Sequence, residues 1–347
     1  MAGQEAPRNG ASGAAAGIAA SSSAAEIAAL LASGVDARAV LLEFADANQA
    51  RPRMLLALSR LFGAHVASHA DDRAAVERLA DLSQRLAALD ADHAAWFAGI
   101  PNHLLMKVNG SPDRKPFVQV GAHVTRLLRD ELPVLREAGA VLDFGVGLCR
   151  VLWPMMQEVP DAELIGFDVD PMILTQTEKL GLVSEARFVH STQPIADGTI
   201  DALYAISVFT HLRTTVDFWL GEIHRVLSDR GQALLTFHDE TLYADLRAKG
   251  QIPRNTPAEC RERMFVGGGT EGSTQLAVFY ETPYWEECLR RFFVVEKTAP
   301  RGLHGNQSYS VVRKRAVAVD HERLRHEYLC ALEEELYRLR LAKKLMF

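Results

Sequence analysis

The stretch whose reading decides the fold is Val141-Leu142-Asp143-Phe144-Gly145-Val146-Gly147-Leu148-Cys149-Arg150. An apolar run ends in an acid, and two glycines one residue apart then turn the chain toward a helix. Glycine is needed where a backbone turns sharply or lets a ligand approach closely. The matching second half is Gly166-Phe167-Asp168-Val169-Asp170-Pro171, where a strand again ends in an acid, Asp168, 23 positions after Gly145. An acid at the end of the second strand of an open α/β sheet is placed to accept both hydroxyls of a ribose. Together Asp143, Gly145, Gly147 and Asp168 outline a pocket for an adenosine-containing cofactor.

Around this pair, short β-rich runs alternate with helical stretches from Ala140 to about Arg315. Strands are expected at Ala140–Phe144, Glu163–Asp168, Ala186–His190, Ala202–Ala205, Ala233–Phe237, Phe292–Thr298 and Ser308–Lys314. Between the fourth and fifth, Val216, Trp219, Ile223 and Val226 recur at helical spacing. The alternation implies an α/β fold, a mostly parallel sheet of seven strands with helices on its faces. In such a sheet the ligand lies beyond the carboxyl ends of the strands, where strand order switches.

Further out, residues 1–25 are almost all Ala, Gly and Ser. They lack side chains able to offset their ordering entropy and read as a disordered tail. Residues 26–114 read as an N-terminal helical region, with stripes at Met54, Leu58, Leu61 and at Val76, Leu79, Leu82, Leu86, Leu89. The turn residues Asn109-Gly110-Ser111-Pro112-Asp113 precede a helix through Val120, Val124, Leu127 and Leu128, which opens a domain over 115–318. Residues 319–347 form a charged C-terminal helix with Leu324, Tyr328, Leu332, Leu336 and Leu339 on one side. That stripe either pairs with a second copy, giving a homodimer, or packs on its own chain.

The 347 residues are 48% apolar and 24% charged, enough for a sizeable core, and the net charge is −6. A chain built mainly to grip nucleic acid or an anionic membrane needs a strong positive field, so both partners are excluded as its main business. Cys149, Cys260, Cys288 and Cys330 lie far apart with no CxxC pair, which speaks against a disulfide framework and for a reducing cytoplasm. No apolar run reaches the roughly 20 residues of a membrane span, and the N-terminus lacks the basic-then-apolar order of a signal peptide.

Nicotinamide loops carry a third glycine that lets a helix N-terminus meet a pyrophosphate. Here the corresponding residues are Leu148-Cys149-Arg150, which disfavours a nicotinamide-dependent oxidoreductase. The chain instead resembles the class I S-adenosylmethionine-dependent methyltransferases over about 115–315, and thereby a Rossmann-like fold. DGTIDALYAISVFTHL (197–212) is similar to that family's fourth-strand region, ending in a Ser-rich turn at Ser207. EIHRVLSDRGQALLTFHDE (222–240) is similar to its helix, turn and fifth strand, with Ser228-Asp229-Arg230-Gly231 in place of the usual PGG. The finer texture is similar to bacterial small-molecule or polysaccharide-associated methyltransferases.

The resemblance implies S-adenosyl-L-methionine as cofactor, and roles residue by residue. Gly145 and Gly147 would lie along the methionine part, with Asp143 beneath it, and Ser207 would also bind the cofactor. Asp168 would hold the ribose, Val169 or Met172 would flank the adenine, and Ser191 and Thr192 would stand where an acidic or polar residue usually meets the adenine amino group. Cys149 replaces a frequent glycine and reads as a small buried residue.

A sulfonium methyl is already activated, so the protein mainly aligns an acceptor in line with the methyl–sulfur bond. A hydroxyl acceptor, small or sugar-like, also needs its proton taken. His211 after the fourth strand and His238 after the fifth are candidates, because histidine titrates near neutral pH. Each could equally be a hydrogen-bonded structural histidine. His238-Asp239-Glu240 is contiguous rather than spaced for ligands, and no metal is expected. The insert 241–291 carries Gly267-Gly268-Gly269, a hinge candidate, and Phe279, Tyr280, Tyr284 and Trp285, which either stack on a substrate or cover the sheet. His304, Asn306 and Gln307 form a polar loop near the expected site, and Arg313-Lys314-Arg315 reads as a solvated edge. A non-catalytic module that binds the cofactor and dimerises through the C-terminal helix is the alternative from another class.

Overall fold

A computed structural model describes residues 98–159, 161–179, 186–190 and 195–345. The tail at 1–25, the stripes at Met54–Leu89, and Ser191 and Thr192 lie outside these residues. The chain divides into two compact units, Met1–Gly99 with Met155–Asp161, and Ile100–Pro154 with Ala162–Phe347. The second unit carries the sheet.

It opens with helix α1 (Asn102–Asn109), ended by Gly110 in a left-handed conformation. Helix α2 (Arg114–Glu131) starts where Asp113 accepts the Lys115 amide through its side chain, an N-cap. Its buried face is Phe117, Gly121, Val124, Thr125 and Leu128. There follow β1 (Ala140–Phe144), α3 (Leu152–Glu158, of which Met155 onward is assigned to the first unit), β2 (Glu163–Asp168), α4 (Pro171–Lys179), β3 (Arg187–His190) and β4 (Ile200–Ala205). Helix α5 (Val216–Val226) leads into β5 (Leu227–Asp239) and α6 (Glu240–Ala248). Last come β6 (Arg263–Val266), β7 (Ala277–Tyr280), α7 (Thr282–Arg290), β8 (Phe293–Leu303), β9 (Gln307–Lys314) and α8 (His321–Leu345).

β1 and β4 are buried along their whole length, the mark of parallel strands covered on both faces. The strands run in the order β3-β2-β1-β4-β5, all parallel. β5 then divides its edge: Gln232–Phe237 pair antiparallel with β9, and His238 and Asp239 pair parallel with β7. β8 joins β9, and β6 joins β7, both antiparallel. All seven expected strands are present; β6 and β7 are two short additions from within the insert. The turn Ser228–Gly231 becomes an irregularity inside β5, where pairing jumps from Ile200–Leu227 to Ala202–Gln232.

The chain winds outward from β1 to β3, then returns to place β4 and β5 on the other side. The order therefore switches between β1 and β4, and the crevice at their carboxyl ends is where this architecture binds ligands. The core beneath contains Phe237, Tyr280, Trp285, Phe209 and Leu220. Phe279, Tyr280 and Trp285 are buried, and Tyr284 packs against the same cluster, so these aromatics cover the sheet. The first turns of α8 dock on α5: Leu324 is buried, and Tyr328 stacks on Phe218 with centroids 4.1 Å apart. Leu336 and Leu339 of the same stripe remain exposed. All four cysteines are free thiols, Cys149 among the buried ones. Among the described residues no helix is long and apolar enough to cross a membrane.

Candidate active site

Strand β1 delivers Asp143 and then breaks. Gly145 has φ +84°, and a Cβ there would stand 2.5 Å from Val208 Cγ2, so the turn needs glycine both for its backbone and for the approach of the β4 loop. Gly147 also has a positive φ, +52°. The turn is pinned to β2: Gly145 and Val146 amides donate to the Phe167 carbonyl at 2.8 and 2.9 Å. The Gly147 amide donates to Asp168 Oδ2 at 2.9 Å, and the Asp170 amide to Asp168 Oδ1 at 2.9 Å. Each Asp168 oxygen thus has one amide partner and keeps acceptor capacity for a hydroxyl.

Asp143 is buried, and that burial pushes its pKa up to about 8; the nearby Tyr204 hydroxyl opposes the rise, Asp168 adds to it, and the Arg150 guanidinium opposes it. Burial also raises Asp168, against the hydrogen bonds from the Asp170 and Gly147 amides. A carboxyl held neutral by its burial, next to a carboxylate with free lone pairs, suits a ligand with a cationic group and vicinal hydroxyls. S-adenosylmethionine has both. Val169 and Met172 are exposed beside Asp168, 47% and 64%, as apolar side chains open to a flat ring would be.

The turn has a cover that the sequence reading missed. In α1, Val108 Cγ1 would stand 3.1 Å from a Cβ on Gly147, and Lys107 forms an ion pair with Asp170. Asn109 Oδ1 accepts from Arg150 at 3.0 Å, and the Arg150 guanidinium lies 5.8 Å from the Phe117 ring centroid of α2. The local signal was the bare Gly121 in α2, where a Cβ would collide with the Arg150 carbonyl at 2.0 Å. Only the tertiary contact explains it.

Across the crevice, Ser207 has φ +62°; its amide donates to Thr236 Oγ1 at 2.8 Å, and its hydroxyl accepts from Gln307 Nε2 at 2.8 Å. Gln307 Oε1 is buried without a partner among the described residues. Asp239 caps α6 through the Leu242 amide at 2.8 Å and accepts from Ser308, so its carboxylate is structural. Glu240 accepts from the Thr282 amide and hydroxyl, both at 2.9 Å. His304 stacks near His123, centroids 4.3 Å apart, and Asn306 is exposed on the same hairpin.

His238 lies 5.3 Å, ring to ring, from Phe279, and its Nδ1 is buried without a partner among the described residues. Burial, and then the charge of His211, push its pKa down to about 4, against the Val278 backbone and Asp239. His211 Nδ1 meets the Leu276 carbonyl at 2.6 Å, so it carries the proton and Nε2 the lone pair. Burial lowers its pKa, the Leu276 carbonyl opposing. Both imidazoles are therefore neutral at neutral pH. Gly267 and Gly269 lie against the Gln275 backbone and close a tight loop on itself, which is what their lack of a side chain serves.

Residues 142–233, from β1 into β5, match the sequence model of the family described as a methyltransferase domain. The probable glutathione S-transferase GSTU1 of Oryza sativa subsp. indica is 33% identical over 116 residues, 32% of this chain and 47% of that one; its japonica counterpart matches equally. The chain thus spans about half the length of the curated relatives it matches. Among solved structures, the PH0226 protein from Pyrococcus horikoshii OT3 is similar with a TM-score of 0.46 and 15% identity, over 64% of this chain and 99% of that one. A TehB-like SAM-dependent methyltransferase from Corynebacterium glutamicum gives 0.36 and 19%, over 56% and 88%. The Burkholderia thailandensis 1,6-didemethyltoxoflavin-N1-methyltransferase, solved with bound 1,6-didemethyltoxoflavin and S-adenosylhomocysteine, gives 0.37 and 16%, over 58% and 86%. The matched segment, residues 142–233, holds the glycine turn, both strand-terminal acids and the switch between β1 and β4, so the part of the chain that carries the candidate site is similar to a methyltransferase domain.

Proposed function

We propose that the protein transfers the methyl group of S-adenosyl-L-methionine to a hydroxyl of a small-molecule or sugar-like acceptor, with 115–318 as the working domain. The observation that carries the cofactor half is the joining of Gly147 to Asp168 above a buried, neutral Asp143. When bound, the cofactor supplies an activated methyl on a sulfonium. The chain's own residues do the rest. Asp143 faces the amino group of the methionine part, Gly145 and Gly147 admit its backbone-like chain, and Ser207 closes the opposite wall. Asp168 takes the ribose hydroxyls, Val169 and Met172 flank the adenine, and Ser191 and Thr192 meet its amino group. His211 takes the acceptor's proton at Nε2, and His238, also neutral, is the second candidate for that step. A neutral imidazole suits a hydroxyl, which must lose a proton as its oxygen attacks.

The exposed side of α8 is proposed to hold a second copy. Leu336 and Leu339 are open to solvent, and Glu333 and Arg340, seven residues apart, flank them on one edge. Antiparallel pairing of two such helices sets Glu333 of each copy against Arg340 of the other. The four free thiols support a cytoplasmic setting.

The test is calorimetric titration with S-adenosylhomocysteine and, separately, with NAD, followed by a metabolite screen for the mass gain of one methyl. Binding of the former and silence toward the latter is expected. Saturable NAD binding without S-adenosylhomocysteine binding would overturn the reading.

A further inference from the structure

The loop joining β6 to β7 holds the segment that carries His211, and it does so through one carboxylate. Glu271 Oε1 accepts from the backbone amides of Arg213, Thr214 and Thr215, each at 2.9 Å, and from the Thr215 hydroxyl at 2.7 Å. Its Oε2 accepts from the Thr214 amide and hydroxyl at 3.1 and 2.9 Å. Thr215, the residue that begins α5, makes no side-chain cap of its own, so Glu271 does that work from 56 residues away. A carboxylate there also sits at the positive end of the helix dipole.

The same loop grips His211 twice. The Gly272 amide donates to the His211 carbonyl at 2.9 Å, and the Leu276 carbonyl takes the His211 Nδ1 proton at 2.6 Å. Helix α8 braces the arrangement: Glu335 accepts from Arg213 Nη2 at 2.5 Å and from the Glu271 amide at 3.4 Å. Arg213 also lies over the Phe265 ring of β6, 5.2 Å from its centroid. Released from the Thr214 and Thr215 amides, the loop loses its side-chain anchor on this segment.

We propose that Glu271 is a positioning residue for His211: by docking the 267–276 loop on the start of α5, it holds the imidazole as the Nδ1–H tautomer and so leaves the lone pair on Nε2 as a base. This deepens the proposed transfer to a hydroxyl and rests on it for the use of Nε2, whereas the positioning stands on geometry alone. The hydrogen bonds hold Glu271 below the usual carboxylate range, so it is ionised at neutral pH despite its burial.

The experiment is solution NMR of ring-15N-labelled protein, His211 being assigned by His211→Gln. In the wild type the ring should be the Nδ1–H tautomer. In Glu271→Ala it should shift to a mixture dominated by Nε2–H, as in an unconstrained histidine, with S-adenosylhomocysteine affinity within twofold of wild type. If Glu271→Ala fails to fold, Glu271→Gln, which keeps one acceptor oxygen, should give a partial shift in the same direction. A folded variant whose His211 tautomer is unchanged overturns the proposal. So does a wild-type His211 that is already Nε2–H. Failure of the wild type to bind S-adenosylhomocysteine would overturn the methyltransferase reading and leave the tautomer result standing.

Discussion

The Gly147 amide donates to Asp168 Oδ2 over 2.9 Å, which ties the glycine turn after β1 to the end of β2. Loop shape and ribose recognition therefore depend on the same carboxylate. Asp168→Ala should weaken S-adenosylhomocysteine binding at least tenfold, about 1.4 kcal/mol, whereas Asp168→Asn, which retains one acceptor oxygen, should lose less. Calorimetry reads both. Unchanged affinity in Asp168→Ala removes this residue from the pocket.

The buried Asp143 makes cofactor affinity depend on pH. Its pKa is raised to about 8 from an ordinary 3.8, so in the free protein at pH 7 it is largely neutral. A ligand ammonium placed beside it favours the carboxylate, so binding at pH 7 should release a proton. Affinity should rise as pH approaches about 8. The sign for stability is the reverse: a raised carboxyl stabilises the fold below its unfolded pKa, and that contribution is lost as pH rises through about 8. Titrations in buffers of different ionisation enthalpy measure the released proton, and Asp143→Asn should abolish it.

His238 acts on the acid side. With its pKa depressed to about 4 from 6.5, the fold prefers the neutral ring. Its contribution is complete above about 6.5 and lost as pH falls toward about 4, roughly 3 kcal/mol in all. Chemical denaturation of His238→Gln against wild type from pH 4 to 7 should show a flatter acid limb in the variant. Parallel curves would mean the ring is not held neutral.

The exposed stripe on α8 bears on assembly. Light scattering after size exclusion should find a dimer, and Leu336→Asp with Leu339→Asp should give a monomer that still binds S-adenosylhomocysteine. Glu333→Arg alone should weaken the dimer, and adding Arg340→Glu should restore it. A monomeric wild type at high concentration rejects the pairing.

Local pattern determined a good deal. The strand that ends in Asp143, the glycines after it and the strand that ends in Asp168 were legible because backbone turns and apolar runs are properties of neighbouring residues. The helix at Val216–Val226 was legible from its spacing for the same reason. The β6 and β7 strands were not, because four-residue segments become strands only when a neighbour offers an edge, β5 to β7 and β7 in turn to β6. The aromatic set at 279–285 had two uses on paper, and burial against Phe237 and Phe209 selected one. The electrostatic influence of His211 on His238, the cover that α1 and α2 lay over the turn, and the hold of Glu271 on Thr215 join residues far apart in the chain. Such pairings depend on strand order and loop docking, which no local period encodes, so only the tertiary structure could decide them.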